Sequence, residues 1–212
     1  MRKDSVDTVG GVAYRYSSEW IHRLEGPEHW MLYWYQQKIM EGLLEPGDTV
    51  LEVGVGSGFT ANYLRAKGMQ VTTIDIDAAK QPDIVANLID YKFSQAYDHV
   101  LAFEVFEHIP FEKFQQALQQ IHPICRKHLF FSVPRNEKPL FSADLLLPIL
   151  GKKRIRLSKL RGRIKESHHF WEVDHGQTTR PRVEETVRDA GYVLARNQKV
   201  DAHLFYCFTP SS

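Results

Sequence analysis

The chain is 212 residues long, 43% hydrophobic and 25% charged, a composition that suits one globular domain with a full core and excludes a disordered or low-complexity chain. It holds no apolar run long enough to span a bilayer, and its first residues, MRKDSVDTVGG, lack the hydrophobic stretch of a signal peptide, so a cytoplasmic protein is expected. The net charge of +1 conceals an uneven distribution: residues 152–165 carry eight Lys or Arg and no acid, leaving 19 basic against 26 acidic residues elsewhere, a net −7.

In chain order, residues 17–44 read as a helical cap rich in aromatics, among them Trp20, Trp30, Tyr33, Trp34 and Tyr35, with packing on the rest of the fold as the expected role of most rings. Pro46-Gly47-Asp48 then breaks the chain. Residues 50–77, VLEVGVGSGFTANYLRAKGMQVTTIDID, join a buried strand, a turn at Gly54, Gly56 and Gly58, a helix over 59–67 that stops at Gly68, and a strand over 71–76. That second strand delivers Asp75 about 20 residues after the glycines, where an acid can accept from both hydroxyls of a ribose. Further strands are expected over 49–53, 84–87, 99–103 and 128–133, and their alternation with helices predicts a parallel sheet covered on both faces.

Residues 135–165 form an insertion after the fifth strand. Its first part, LFSADLLLPIL, is apolar and its second is the basic run. Ligands in open α/β sheets sit beyond the carboxyl ends of the strands, so this insertion should wall a site there. A helix follows, capped by Thr179 with Pro181 in its first turn, and strands are expected over 192–198 and 203–208. Cys125 and Cys207 have no metal-like spacing and read as packing residues.

A glycine turn of this kind also serves dinucleotide dehydrogenases, so the glycines alone do not name the ligand. Glu52, two residues before Gly54, is badly placed for a pyrophosphate and well placed beside a cation. With PDIVANLIDYKF over 82–93, YDHVLAFEVFEHIP over 97–110 and KHLFFSVP over 127–134, the chain resembles the small-molecule branch of the class I S-adenosylmethionine-dependent methyltransferases, those of types 11 and 12. The resemblance implies a Rossmann-like, doubly wound, mostly parallel seven-stranded sheet with an antiparallel last strand and a helical cap. It implies one domain over 1–212: cap 17–44, cofactor-binding core 47–134, basic insertion 135–165, and a C-terminal part of the core over 166–212. It implies S-adenosylmethionine as cofactor, held by Glu52, the loop of Gly54, Val55, Gly56 and Gly58, and Asp75 and Ile76 at the ribose. Asn87, or Asp90 in its place, and the Leu88 amide would read the adenine, and the Phe103 carbonyl and Glu104 would lie beside the methionine amino group.

Methyl transfer from a sulfonium mainly requires alignment in a dry site, with a base for a hydroxyl acceptor. Glu107, His108 and His169 are the candidate catalytic residues, and His168 offers a further imidazole. The spacing of Glu104, Glu107 and His108 places them on one helical face, and they are the set that would hold a metal. The same E-x-x-E-H binds a divalent cation in the ubiquinone-pathway O-methyltransferases and in small-RNA 3′-terminal ribose methyltransferases, whose downstream His resembles SHHFWE over 167–172. The pattern also occurs in metal-free enzymes, and no metal is expected here. The basic run reads as a solvated loop, a dock for an anionic acceptor, or a peripheral membrane contact. No nucleic-acid recognition module accompanies it. The expected activity is O-methylation of a small or carbohydrate-type acceptor, sugar or phosphorylated. A metal-assisted RNA ribose 2′-O-methyltransferase and a non-catalytic adenosylmethionine-binding protein are the alternatives.

Overall fold

In the computed structural model, which describes residues 6–9, 12–15, 26–149, 151–164 and 166–211, strands β1 (Val6–Val9) and β2 (Val12–Arg15) pair antiparallel ahead of helix α1 (Pro27–Met40). The first part of the expected cap, with Trp20, lies outside the described residues. There follow β3 (Thr49–Val53), α2 (Phe59–Ala66), β4 (Gln70–Asp75), β5 (Ile84–Val85), β6 (Tyr97–Phe103), α3 (Phe111–Ile121) and β7 (Cys125–Pro134). The chain then forms β8 (Glu137–Leu147), β9 (Gly151–Leu160), α4 (Arg180–Asp189), β10 (Tyr192–Val200) and β11 (His203–Pro210).

Seven strands make one sheet in the order β10-β11-β7-β6-β3-β4-β5. Strands β3 to β7 run parallel, and β11 pairs antiparallel with both β7 and β10. The central strands are near-continuous apolar runs because both of their faces are covered. Val50, Leu51, Val100, Leu101, Leu129, Phe130 and Phe131 are all fully buried. Leu51, Val100 and Phe131 pack with Phe114 and Leu118 of α3 and Val183 and Val187 of α4. Val50, Leu101 and Phe130, facing the other way, pack with Ile39 and Met40 of α1 and Leu64 of α2. Cys125 and Cys207 are buried free thiols.

From β3 the order runs outward through β4 and β5 on one side and through β6 and β7 on the other, so the carboxyl ends of β3 and β6 diverge at a switch point where a ligand crevice opens. One expectation needs correction. The third strand stops at Val85 rather than 87, because the Asn87 side chain accepts from the Ile89 amide (3.0 Å) and turns the chain. The basic insertion is an antiparallel hairpin, β8 against β9, in register from Glu137↔Leu160 to Leu147↔Gly151.

Candidate active site

A cavity of about 880 Å³ opens beyond the carboxyl ends of β3, β4 and β6, between α1 and the β8–β9 hairpin. Its first half is built on the glycine turn. Gly54 holds φ +78°, and a Cβ there would meet Val105 Cγ2 at 2.6 Å, so only glycine lets β3 end so close to the turn after β6. Gly54, Val55 and Gly56 line the cavity. Gly58 does not; in a left-handed conformation it starts α2 instead.

Glu52 lies buried on this wall with Oε2 lacking a hydrogen-bond partner. Burial pushes its carboxyl up to about 8, against the opposing Arg65 charge and the Ala61 amide, with Asp75 adding to the rise. A buried acid with an orphaned oxygen is a site that a cationic group would satisfy. Asp75 Oδ2 accepts from the Val55 amide (2.9 Å) and from Lys80 Nζ (2.8 Å), and Oδ1 accepts from the Asp77 amide (2.9 Å). Ile76, Asn87, Leu88 and Phe103 also line the cavity, whereas Asp90 does not.

The second half lies around the turn after β6. Here the helical face expected of Glu104, Glu107 and His108 is corrected: Glu104 takes φ +53° and only Phe106–His108 form a short 3-10 turn. The i, i+3, i+4 geometry requires helical backbone from Glu104 onward, and that backbone is absent. Glu104 instead accepts from Ser132 Oγ (2.7 Å) and pairs with His203 Nδ1 (3.1 Å). Burial opposes its ionisation, but the His203 imidazole and the hydrogen bonds from His203 and Ser132 outweigh it and hold the carboxyl below the usual range. Glu107 is fully buried with no partner for either oxygen. Burial, then the charges of Glu104 and Glu172, raise its carboxyl well above the usual range and favour the protonated form on the cavity wall.

Three imidazoles stand beside it. His108 stacks on His168 with centroids 5.1 Å apart, and His169 meets both edge-on at 5.2 and 4.6 Å. Burial, then His169 and His168, push His108 down to about 3, so its ring is neutral. His108 Nδ1 lies 3.3 Å from the His168 carbonyl, and His169 Nδ1 lies 3.1 Å from Glu172 Oε1. Glu172 Oε2 accepts in turn from Asn136 Nδ2 (2.7 Å), at the base of the hairpin. Among the described residues, the group with metal-ligand geometry is His108, His168 and His169, whose nearest ligand atoms lie within 4.8 Å of one another, and not Glu104, Glu107 and His108.

Sequence reasoning missed two residues that the topology brings to the cavity. His203 arrives because β11 runs antiparallel beside β7, and Lys80 because the chain turns back after β4. Arg154 and Arg156 come from β9, where Arg154 Nε pairs with Asp144 (2.7 Å) and Arg156 pairs with Asp201. Tyr33 of α1, stacked on Phe59 at 4.4 Å and hydrogen-bonded to Ser57 Oγ (2.8 Å), lines the cavity while Trp30 and Trp34 are exposed.

An α/β sheet of this order, with a glycine turn and a buried acid at its switch point, defines a class I S-adenosylmethionine-dependent methyltransferase fold. Residues 28–192 match the family model described as a methyltransferase domain, and the chain belongs to that family. No curated protein matches its sequence. Among solved structures, it is similar to the Burkholderia thailandensis 1,6-didemethyltoxoflavin-N1-methyltransferase with bound 1,6-didemethyltoxoflavin and S-adenosylhomocysteine, at 16% identity and TM-score 0.60 over 91% of this chain and 84% of that one. It is also similar to the N-methyltransferase NodS from Bradyrhizobium japonicum WM9, at 11% identity and TM-score 0.61 over 90% and 91%. A putative methyltransferase of Haloferax volcanii, in complex with the Trm112 methyltransferase activator, matches at 16% identity and TM-score 0.63 over 91% and 95%. No helix among the described residues is long and apolar enough to cross a membrane.

Proposed function

We propose that this S-adenosylmethionine-dependent methyltransferase methylates a hydroxyl oxygen of a small, anionic, carbohydrate-type acceptor. The cofactor supplies an electrophilic methyl group on a sulfonium. Around it, the carboxylate of Glu52 balances the cationic amino acid part, Asp75 and Ile76 hold the ribose, Asn87 and Leu88 the adenine, and Phe103 and Glu104 the amino group. The single observation that carries the acceptor reading is His169 on the cavity wall, hydrogen-bonded behind it to buried Glu172. With Nδ1–H directed to Glu172, the other ring nitrogen, Nε2, is the atom that takes the hydroxyl proton, and Glu172 stabilises the imidazolium that results. Glu107 and His108 serve as hydrogen-bonding groups for the acceptor, and Arg154 and Arg156, oriented by Asp144 and Asp201, present guanidinium donors to its anionic group.

Supplying a labelled methyl donor with sugars, sugar phosphates and nucleotide sugars tests the assignment. With the best acceptor, His169→Ala should lower kcat by about 100-fold, within the range of general-base effects, and leave S-adenosylhomocysteine affinity unchanged. Equal turnover by the variant would remove His169 from the reaction. The histidine triplet supports a second reading, a divalent ion held by His108, His168 and His169. One tightly bound ion per chain by elemental analysis, with activity lost in chelator, would favour it; full activity in chelator is the result our reading expects.

A further inference from the structure

The β8–β9 hairpin has two unlike faces. Residues paired across an antiparallel ladder lie on one side of it, so Ser142↔Arg156 and Asp144↔Arg154 share the face turned to the cavity, which Ser142, Arg154 and Arg156 line. Phe141↔Leu157 and Ala143↔Ile155 share the opposite face, and there Phe141 and Leu157 are 53% and 60% exposed. At the tip Leu146 and Ile149 are 82% and 95% exposed, with Leu145 and Leu147 less so. A projecting apolar tip and outer face of this kind is costly to leave in water and marks an interaction surface.

Charge identifies the occupant. Residues 137–163 carry eight Lys or Arg against Glu137 and Asp144, a net +6 on a chain that is otherwise −5. Both acids are already paired, Glu137 with Arg135 and Lys199 and Asp144 with Arg154, while Lys138, Lys153 and Lys159 are exposed. Apolar side chains flanked by exposed cations complement a lipid surface that is anionic above and apolar below. A second copy of the chain on the same face would bring the lysines of two hairpins together, which like charge opposes.

We propose that the tip and outer face of the β8–β9 hairpin dock on an anionic lipid bilayer, bringing the cavity beneath the hairpin next to the lipid surface. Docking of this kind depends on the exposed residues of the hairpin and not on the identity of the acceptor. The test is co-sedimentation of the full chain with vesicles of phosphatidylcholine alone or mixed with phosphatidylglycerol. Binding should require phosphatidylglycerol and weaken at least ~10-fold between 0.1 and 1 M salt, as the screening length falls to about 3 Å. The tip variant Leu146→Ser/Ile149→Ser and the face variant Phe141→Ser/Leu157→Ser should each lose roughly 10-fold or more in vesicle affinity, since each removes two exposed apolar groups that docking would bury in the bilayer. Lys153→Gln/Lys159→Gln should flatten the salt dependence. Calorimetry with S-adenosylhomocysteine should show unchanged affinity in all three, which separates lost docking from lost fold. Three results would overturn the proposal: no binding by the wild type to anionic vesicles; binding that both apolar variants retain; or a concentration-dependent dimer, or a bound protein partner, that the variants release in place of vesicle binding.

Discussion

Glu52 is an acid whose ionised form is disfavoured by burial and favoured beside a cation. With its carboxyl pushed up to about 8 by burial, the folded chain holds a proton that the unfolded chain loses near the ordinary value. Folding stability contributed by this group is therefore present at acidic pH and falls as pH rises towards about 8, where the folded state loses the proton as well. Glu52→Gln should raise the melting temperature at pH 8 relative to wild type and reduce the affinity for S-adenosylmethionine. Calorimetry in buffers of different ionisation enthalpy should show that wild-type binding at pH 7 releases a proton from this site, a release the variant lacks. Asp75 is held by three donors. Asp75→Ala should weaken S-adenosylhomocysteine binding by about 1 to 3 kcal/mol, the cost of leaving charged-acceptor hydrogen bonds unmade, measured in the same titration. These carboxylates were legible as residues: an acid before the first glycine and an acid ending the second strand. Their environments were not. The Lys80 partner of Asp75, the two orphaned oxygens of Glu107 and the His203 partner of Glu104 all depend on contacts between segments far apart in the chain or on how a turn closes.

At the scale of elements, β3, β6 and β7 could be read from the sequence because strands covered on both faces are apolar throughout, and α4 because Thr179 and Pro181 mark its start. The Thr179 hydroxyl does accept from the Arg182 amide, at 3.4 Å. The turn after β6 could not be read, because a non-glycine residue at positive φ has no sequence mark, and Glu104 spends that conformation on facing Ser132 and His203. The hairpin was also opaque. LLLPIL has the composition of a core segment, and only the hairpin formed with β9 shows that Leu145, Leu146, Leu147 and Ile149 stay outside. The glycine turn permits the sharpest test of an element. Gly54→Ala places a Cβ against Val105 at a φ of +78°, which should destabilise the fold by roughly 1 to 3 kcal/mol and abolish tight cofactor binding. Gly54→Ala/Val105→Ala should recover only part of the loss in thermal unfolding, because the collision is relieved and the backbone strain stays.

The whole molecule is a switch-point methyltransferase with one cavity, which the proposed function divides into a cofactor half, built almost entirely from β3, β4 and the segments after them, and an acceptor half, assembled from the turn after β6, the His168-His169 segment, β11 and the hairpin. The first half is contiguous in the chain and was accordingly legible; the second gathers residues from 28 to 203 and was legible only as loose histidines and a basic run. Asn136 connects the hairpin to the chemistry, donating to Glu172 and to the Arg163 carbonyl and so tying the roof to the residue that orients His169. The account stands on that pair removing a proton from a hydroxyl, and the similar solved enzymes include N-methyltransferases, so the atom methylated is the decisive observable. Transfer from a donor carrying a 13C-labelled methyl group, followed by carbon NMR of the product, reads that atom directly. A methoxy carbon signal, lost in His169→Ala, is the predicted result; an N-methyl, S-methyl or C-methyl signal would contradict the account.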